Sequence, residues 1–251
     1  MLFLVFSLDV KIVGRGFKDS WLIVGLPDAG LVGAISAAHI VKALGLEAIA
    51  HVESELLPPV IVVHQSRVYD PVRFFGREGL MVLSSEVPVH PSLVYPLGRS
   101  VIDWAIKEGV KGIITITGIA IPNRLDIEVP EVYGIAGATE LSDVLTKANV
   151  KSFEEGFVVG PAAIMMREGI RRGLPSIMLL AQCFLEYPDP GAAAQALLAL
   201  NKILGLEIDV KPLLDEAEMI RVRTRELMKR TAEALKQMKK THEYEVPLMY
   251  T

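Results

Sequence analysis

Between a short apolar run, Trp21 to Gly25, and the helical pattern that follows, the chain carries a stretch whose spacing could receive a phosphate. It reads Gly25-Leu26-Pro27-Asp28-Ala29-Gly30-Leu31-Val32-Gly33. Backbone amides at such a strand-to-helix turn are aimed at anions. A dinucleotide fingerprint, however, wants glycine where Pro27 stands, and a P-loop wants lysine and a hydroxyl residue where Leu31 and Val32 stand. Two readings follow. In one, the turn is the anion loop of a small-molecule enzyme acting on a nucleoside or carboxylate. In the other, Gly25 and Gly30 permit a tight bend, Asp28 caps the helix and Gly33 lets helix and strand approach closely. The missing phosphate contacts favour the structural reading.

The remaining reactive side chains do not assemble into a site. Cys183 ends an apolar run with no histidine or helix N-terminus to activate it, which suits a small core residue better than a nucleophile. His39 lies on a helix among apolar residues and is expected to be packed. His51, His64, His90 and His242 are scattered without ligand spacing, so no metal site is expected. Arg124, Asp126, Glu128 and Glu131 could form a carboxylate cluster, but charge on a Pro-punctuated loop is usually solvated. No G-x-S-x-G elbow is present. The expectation is a protein with no catalytic residues, no cofactor and no metal.

Composition narrows the classes further. The 251 residues are half apolar, enough for a sizeable core, and the net charge of -4 argues against a nucleic-acid binder. A single cysteine excludes an internal disulfide and suits a reducing, cytoplasmic setting. Met1 to Leu8 is apolar but lacks a basic start and a cleavage site, and reads as an opening strand. The longest uncharged apolar runs, Ala29 to Val41 and Gly173 to Leu185, end after 13 residues, short of the roughly 18 a spanning helix needs.

Along the chain, strand patterns alternate with helical ones. Trp21 to Gly25 leads into a helix from about Leu31 to Leu44, and Met81 to Ser85 into one from Ser92 to Glu108. Gly112 to Gly118 is a buried strand. Val132 to Ala136 precedes a helix from Thr139 to Lys147, and Phe157-Val158-Val159-Gly160 precedes one from Pro161 to Arg172. Ser176 to Cys183 then precedes a helix from Gly191 to Leu204. This rhythm predicts an α/β fold with a mostly parallel sheet and helices on both faces. Two stretches break it: His51 to Glu78 reads as consecutive antiparallel strands at one end of the sheet, and Ile119 to Glu131 as a long exposed loop or hairpin.

From Pro212 a new pattern begins. Leu213, Ala217, Ile220, Thr224, Leu227, Thr231, Ala234 and Met238 recur at alternating spacings of four and three, the seam of one long helix. Acidic residues crowd its start and lysines its end, as the helix dipole favours. The seam either packs back onto the domain or also meets another subunit. The expected organisation is an α/β domain over 1–210, a C-terminal helix over 211–240 and a mobile tail over 241–251. An extended tail of that length reaches on the order of 35 Å, at about 3.3 Å per residue.

The Gly25-to-Gly33 segment with its helix, Glu53-Ser54-Glu55-Leu56-Leu57-Pro58-Pro59, and the Phe157-to-Pro161 segment together resemble the archaeal members of the proteasome assembly chaperone family, over most of residues 20 to 205. That resemblance implies a three-layer α/β/α sandwich that self-assembles, a tetramer in the activator-like members. It also implies an ATP-independent role in assembling the proteasome or opening its gate. Proteasome activators end in a hydrophobic residue, a tyrosine and any residue, and Met249, Tyr250 and Thr251 stand at those positions here. By the same resemblance the Thr251 carboxylate would pair with a lysine between proteasome α subunits, Tyr250 would pack at the gate turn and Met249 would fill an apolar slot. A carboxylate, an amphipathic ring and a soft side chain are three distinct anchors for peptide capture.

Overall fold

The computed structural model describes residues 10–220 and 222. Met1 to Leu8, the seam from Thr224 to Met238, and Met249, Tyr250 and Thr251 lie outside these.

A nine-stranded sheet forms the middle layer. In chain order the elements are β1 (Lys11–Gly14), β2 (Trp21–Gly25), α1 (Val32–Ala43), β3 (Glu47–Glu53), β4 (Val62–His64), β5 (Arg67–Tyr69), β6 (Val72–Arg77) and β7 (Leu80–Ser85). There follow α2 (Pro91–Lys107), β8 (Gly112–Ala120), β9 (Val132–Ala136), α3 (Thr139–Lys147), β10 (Lys151–Ser152), α4 (Pro161–Arg171), β11 (Ser176–Cys183) and α5 (Pro190–Leu204). A sixth helix, α6, covers residues 211–220. The strand order is β1-β3-β6-β7-β2-β8-β11-β9-β10, while β4 and β5 pair only with each other.

The sheet is mixed, a correction to the mostly parallel sheet that the alternation predicts. β7, β2, β8 and β11 run parallel at its centre, and β9 pairs with β10 in parallel. β1, β3, β6 and β7 are joined by antiparallel pairings, and β9 returns antiparallel to β11. The cause is connection length. Short links such as Glu78-Gly79 between β6 and β7 permit only a hairpin, whereas the helical crossovers enforce parallel neighbours. The antiparallel group at one end is where the consecutive strands from His51 to Glu78 are expected.

Side-chain alternation then divides the core. On β2, Ile23 faces α1 and α5 together with Val82, Ile114, Leu179 and Leu197. Leu22 and Val24 face the opposite layer, built on α2 and α4 with Phe74, Leu83, Leu97, Ile102 and Met165. The central strands are therefore apolar on both faces, as helix-covered parallel strands must be. Phe157 to Gly160 forms no strand, despite its apolar run, and leads irregularly into α4.

The start of α6 follows its predicted seam. Leu213 is buried in the α1/α5 layer, Ala217 and Ile220 are partly buried, and Leu214 to Glu216, Glu218 and Met219 are exposed. Ala217 stands against Gly191 at the start of α5. Over these turns the seam packs back onto the domain.

Candidate functional site

The carboxyl ends of β2, β8 and β11 meet at the Gly25-to-Gly33 turn, where open α/β sheets hold ligands. Here the chain itself fills the space. A Cβ on Gly25 would lie 2.2 Å from the Gly33 carbonyl oxygen, and one on Gly33 would lie 2.6 Å from that of Ile116. One on Gly30 would meet the Cys183 Cβ at 2.7 Å, and one on Gly118 the Ala29 carbonyl oxygen at 2.3 Å and Cys183 Sγ at 2.5 Å. The glycines let backbone carbonyls and the Cys183 side chain approach the turn closely, as its structural reading expects.

Asp28 departs from its predicted role. Its side chain makes no helix cap; Leu31, in the left-handed region at φ 51°, precedes α1 instead. The half-buried Asp28 carboxyl accepts the Thr117 hydroxyl through Oδ2, and Oδ1 is buried without a hydrogen-bond partner. Burial pushes this carboxyl up to about 7, against the opposing influence of the Thr117 hydroxyl and, more weakly, of the backbone amides of Gly33 and Gly118 that face it. Cys183 is fully buried, and burial, with Asp189 and Asp28 nearby, pushes its thiol up to about 12. A thiol held protonated in this way is a core side chain and a poor nucleophile.

The Arg124 loop requires a second correction, because Arg124 is not solvated. It is 6% exposed and Asp189 is 1% exposed. Nε lies 2.7 Å from Asp189 Oδ2, a second guanidinium nitrogen donates to Oδ1 at 3.0 Å, and the third donates to the Ile127 carbonyl at 2.6 Å. The guanidinium also lies over the Phe184 ring, 5.1 Å from its centroid. Asp189 in turn accepts the amides of Phe184 and Ala192, and its own amide donates to the Gly30 carbonyl at 2.8 Å. The Asp189 carboxylate thus caps α5 and holds the loop after β8, and its main-chain amide ties both to the glycine turn. The signal for it was the Asp189-Pro190 pair, a cap followed by proline in the first helical turn. Beside this clamp lies a cavity of about 280 Å³, walled by Ile127, Val129, Phe184, Pro190, Leu214 and Ile220.

The other expected groups do not converge. Glu131 pairs with Lys151 and accepts the Tyr133 hydroxyl, which holds its carboxyl below the usual range, while Asp126 and Glu128 take no part. His39 is half-buried and its ring bonds the Asp209 carbonyl at 2.6 Å. His64 meets Glu86 at 3.1 Å. Among the described residues no group of three or more His, Cys, Asp or Glu side chains is placed to hold a metal, and no helix is long and apolar enough to cross a membrane.

What stands free is apolar surface. Phe157 is wholly exposed and Val159 nearly so, just before α4, and the β4–β5 hairpin exposes Ile61, Val63 and Val68. Large apolar side chains on a surface mark contact with another macromolecule more often than chemistry.

The chain is similar to known proteins. The structure superposes on Pyrococcus furiosus PbaA, described as an archaeal homolog of proteasome-assembly chaperone, with a TM-score of 0.80 and 33% identity over 90% of this chain and 99% of that one. Pyrococcus furiosus PbaB, described as an archaeal proteasome activator, shares the fold with a TM-score of 0.77 and 24% identity, over 88% of this chain and 99% of that one. An uncharacterized protein of Methanocaldococcus jannaschii is 26% identical over 226 residues, 90% of this chain and 92% of that one. With residues 22–228 matching the family's pattern, the chain belongs to the PAC2 family.

Proposed function

We propose that this protein is an ATP-independent proteasome assembly chaperone and activator. It works as a homo-oligomer and docks Met249, Tyr250 and Thr251 between proteasome α subunits. The observation that carries the reading is the likeness to PbaA, at 33% identity over 90% of the chain. The sequence of the last three residues supplies an independent anchor set. Several tails on one particle raise the effective concentration of each after the first has bound, which suits an individually weak motif. The enzyme reading would need an open anion loop at Gly25 to Gly33, where Cys183 and neighbouring carbonyls already occupy the space.

The test is peptide hydrolysis by an archaeal proteasome, with co-sedimentation, for three proteins: the intact chain, the chain lacking residues 249–251, and the chain extended by one residue after Thr251. The extension keeps every side chain and displaces only the terminal charge. Both variants should lose stimulation and binding while keeping their stability and mass. Undiminished binding by either would sink the docking role of the tail.

A further inference from the structure

The β6 strand sorts its side chains by face. Val72 and Phe74 enter the α2/α4 layer, so Arg73 and Phe75 turn to the side of the sheet that carries α1, where Ser84 stands beside Arg73 in register. Between α1 and the inner side of the β4–β5 hairpin lies a groove of about 470 Å³. Small-molecule sites span about 300–1,000 Å³. Ala38, Val41, Pro71 and Phe75 give this groove apolar walls. Its polar groups are unequally matched. Arg73 is a cation with nine-tenths of its side chain buried, and its guanidinium lies over the Tyr69 and Phe75 rings, 4.8 and 5.0 Å from their centroids. Nη2 donates to Glu86, but Nε and Nη1 meet no acceptor among the described residues. Lys42 and the Ser84 hydroxyl, which line the same groove, meet none there either. The one carboxylate in the lining, Glu86, is already engaged by Arg73 and by the His64 ring at 3.1 Å. Glu53 and Asp70 turn to His51 instead, at 3.3 and 3.8 Å, and do not line the groove. Side-chain donors therefore exceed acceptors, and Lys42 and Arg73 outweigh Glu86 by one charge before any on His64. A buried donor without an acceptor is costly, and a ligand that brings one is stabilised accordingly.

We propose that this groove binds a small carboxylic acid with an apolar body, as its monoanion. The carboxylate takes hydrogen bonds from Arg73, whose planar fork matches it, and from Lys42, with the Ser84 hydroxyl as a neutral donor. The hydrocarbon lies along Ala38, Val41 and Phe75. One net positive charge suits one negative charge; a phosphate dianion would bring a second against Glu86. The β4–β5 hairpin, which pairs with no other strand, supplies His64 to the lining and so closes one side of the groove. This site shares no residue with the glycine turn, and it depends neither on oligomerisation nor on proteasome docking.

The experiment is isothermal titration calorimetry of the full chain with 2-naphthoate and with octanoate as probes, each beside its uncharged amide. At least one acid should saturate a single site per chain below about 1 mM. Its amide should bind about tenfold more weakly or worse, having lost the charge-assisted hydrogen bonds. Full-length Ala38→Phe fills the groove from an exposed helix position, so it should abolish binding with an unchanged circular dichroism spectrum. Arg73→Gln should weaken binding about tenfold and Lys42→Gln about threefold. Ala38→Phe and Lys42→Gln decide the matter if Arg73→Gln fails to fold. Val63→Ser, on the hairpin's exposed outer face, should bind as the intact chain does. No saturation by either acid up to about 10 mM, an amide as good as its acid, or binding that survives Ala38→Phe would overturn the proposal. Displacement of the acid by an equal concentration of inorganic phosphate would overturn it too, as would loss of binding in Val63→Ser, which would move the probe to the outer face.

Discussion

The glycine turn at the ends of β2, β8 and β11 and the β4–β5 hairpin are opposites in how their polar and apolar groups are used. At the turn, Cys183 and the carbonyls of Ala29, Gly33 and Ile116 fill the room the glycines leave, and Arg124 is held by Asp189 and the Ile127 carbonyl. On the hairpin, Ile61, Val63 and Val68 touch nothing that would cover them. The place where this fold class holds ligands is therefore spent on structure, and the surface that invites contact lies elsewhere.

The contrast can be broken most forcefully at the clamp. Asp189→Ala leaves Arg124 buried without its counter-ion and removes the α5 cap, so stability should fall by about 3–5 kcal/mol. Thermal or urea denaturation reads it. A loss below about 1 kcal/mol would mean that the turn is not held together by this pair.

A smaller effect is expected from Asp28. Its folded-state carboxyl sits near 7 against an ordinary 3.8, so between those values the folded protein binds more protons than the unfolded chain. Stability from this group is therefore fully present below about pH 4 and declines as pH rises through 7. The decline should total about 2 kcal/mol, since solvent still reaches the half-buried side chain. Asp28→Asn keeps an acceptor for Thr117 and should flatten that part of the melting-temperature profile. A profile with the same slope in both proteins would remove Asp28 as its source.

The smallest effect sharpens the other half of the comparison. Phe157→Ser alters a wholly exposed ring and should change stability by no more than about 0.5 kcal/mol. A large drop in melting temperature would show that Phe157 belongs to the fold rather than to the free surface.

Much of this architecture was legible in the residues. The β9 and α3 boundaries, Val132–Ala136 and Thr139–Lys147, coincide with their patterns, and α1, α2, α4 and α5 agree to within a residue or so at their ends. Long apolar periodicities flanked by Pro and Gly leave little freedom. Phe157 to Gly160 looked like part of the same rhythm because a short apolar run reads alike whether it will be buried or bare. Arg124 looked solvated because its partner, Asp189, lies 65 positions away along the chain.

The sequence by itself determined the α/β class, the sites of the crossover helices, the seam that seats α6, and the terminal Met249-Tyr250-Thr251. These depend on local spacing and on chemistry within a few residues. Tertiary structure alone decided the strand order, the pairing of Arg124 with Asp189, the burial that lifts the Asp28 carboxyl, and the exposure of one hairpin face. Each of these is a relation between segments distant in sequence, and desolvation and close packing act only once those segments have met.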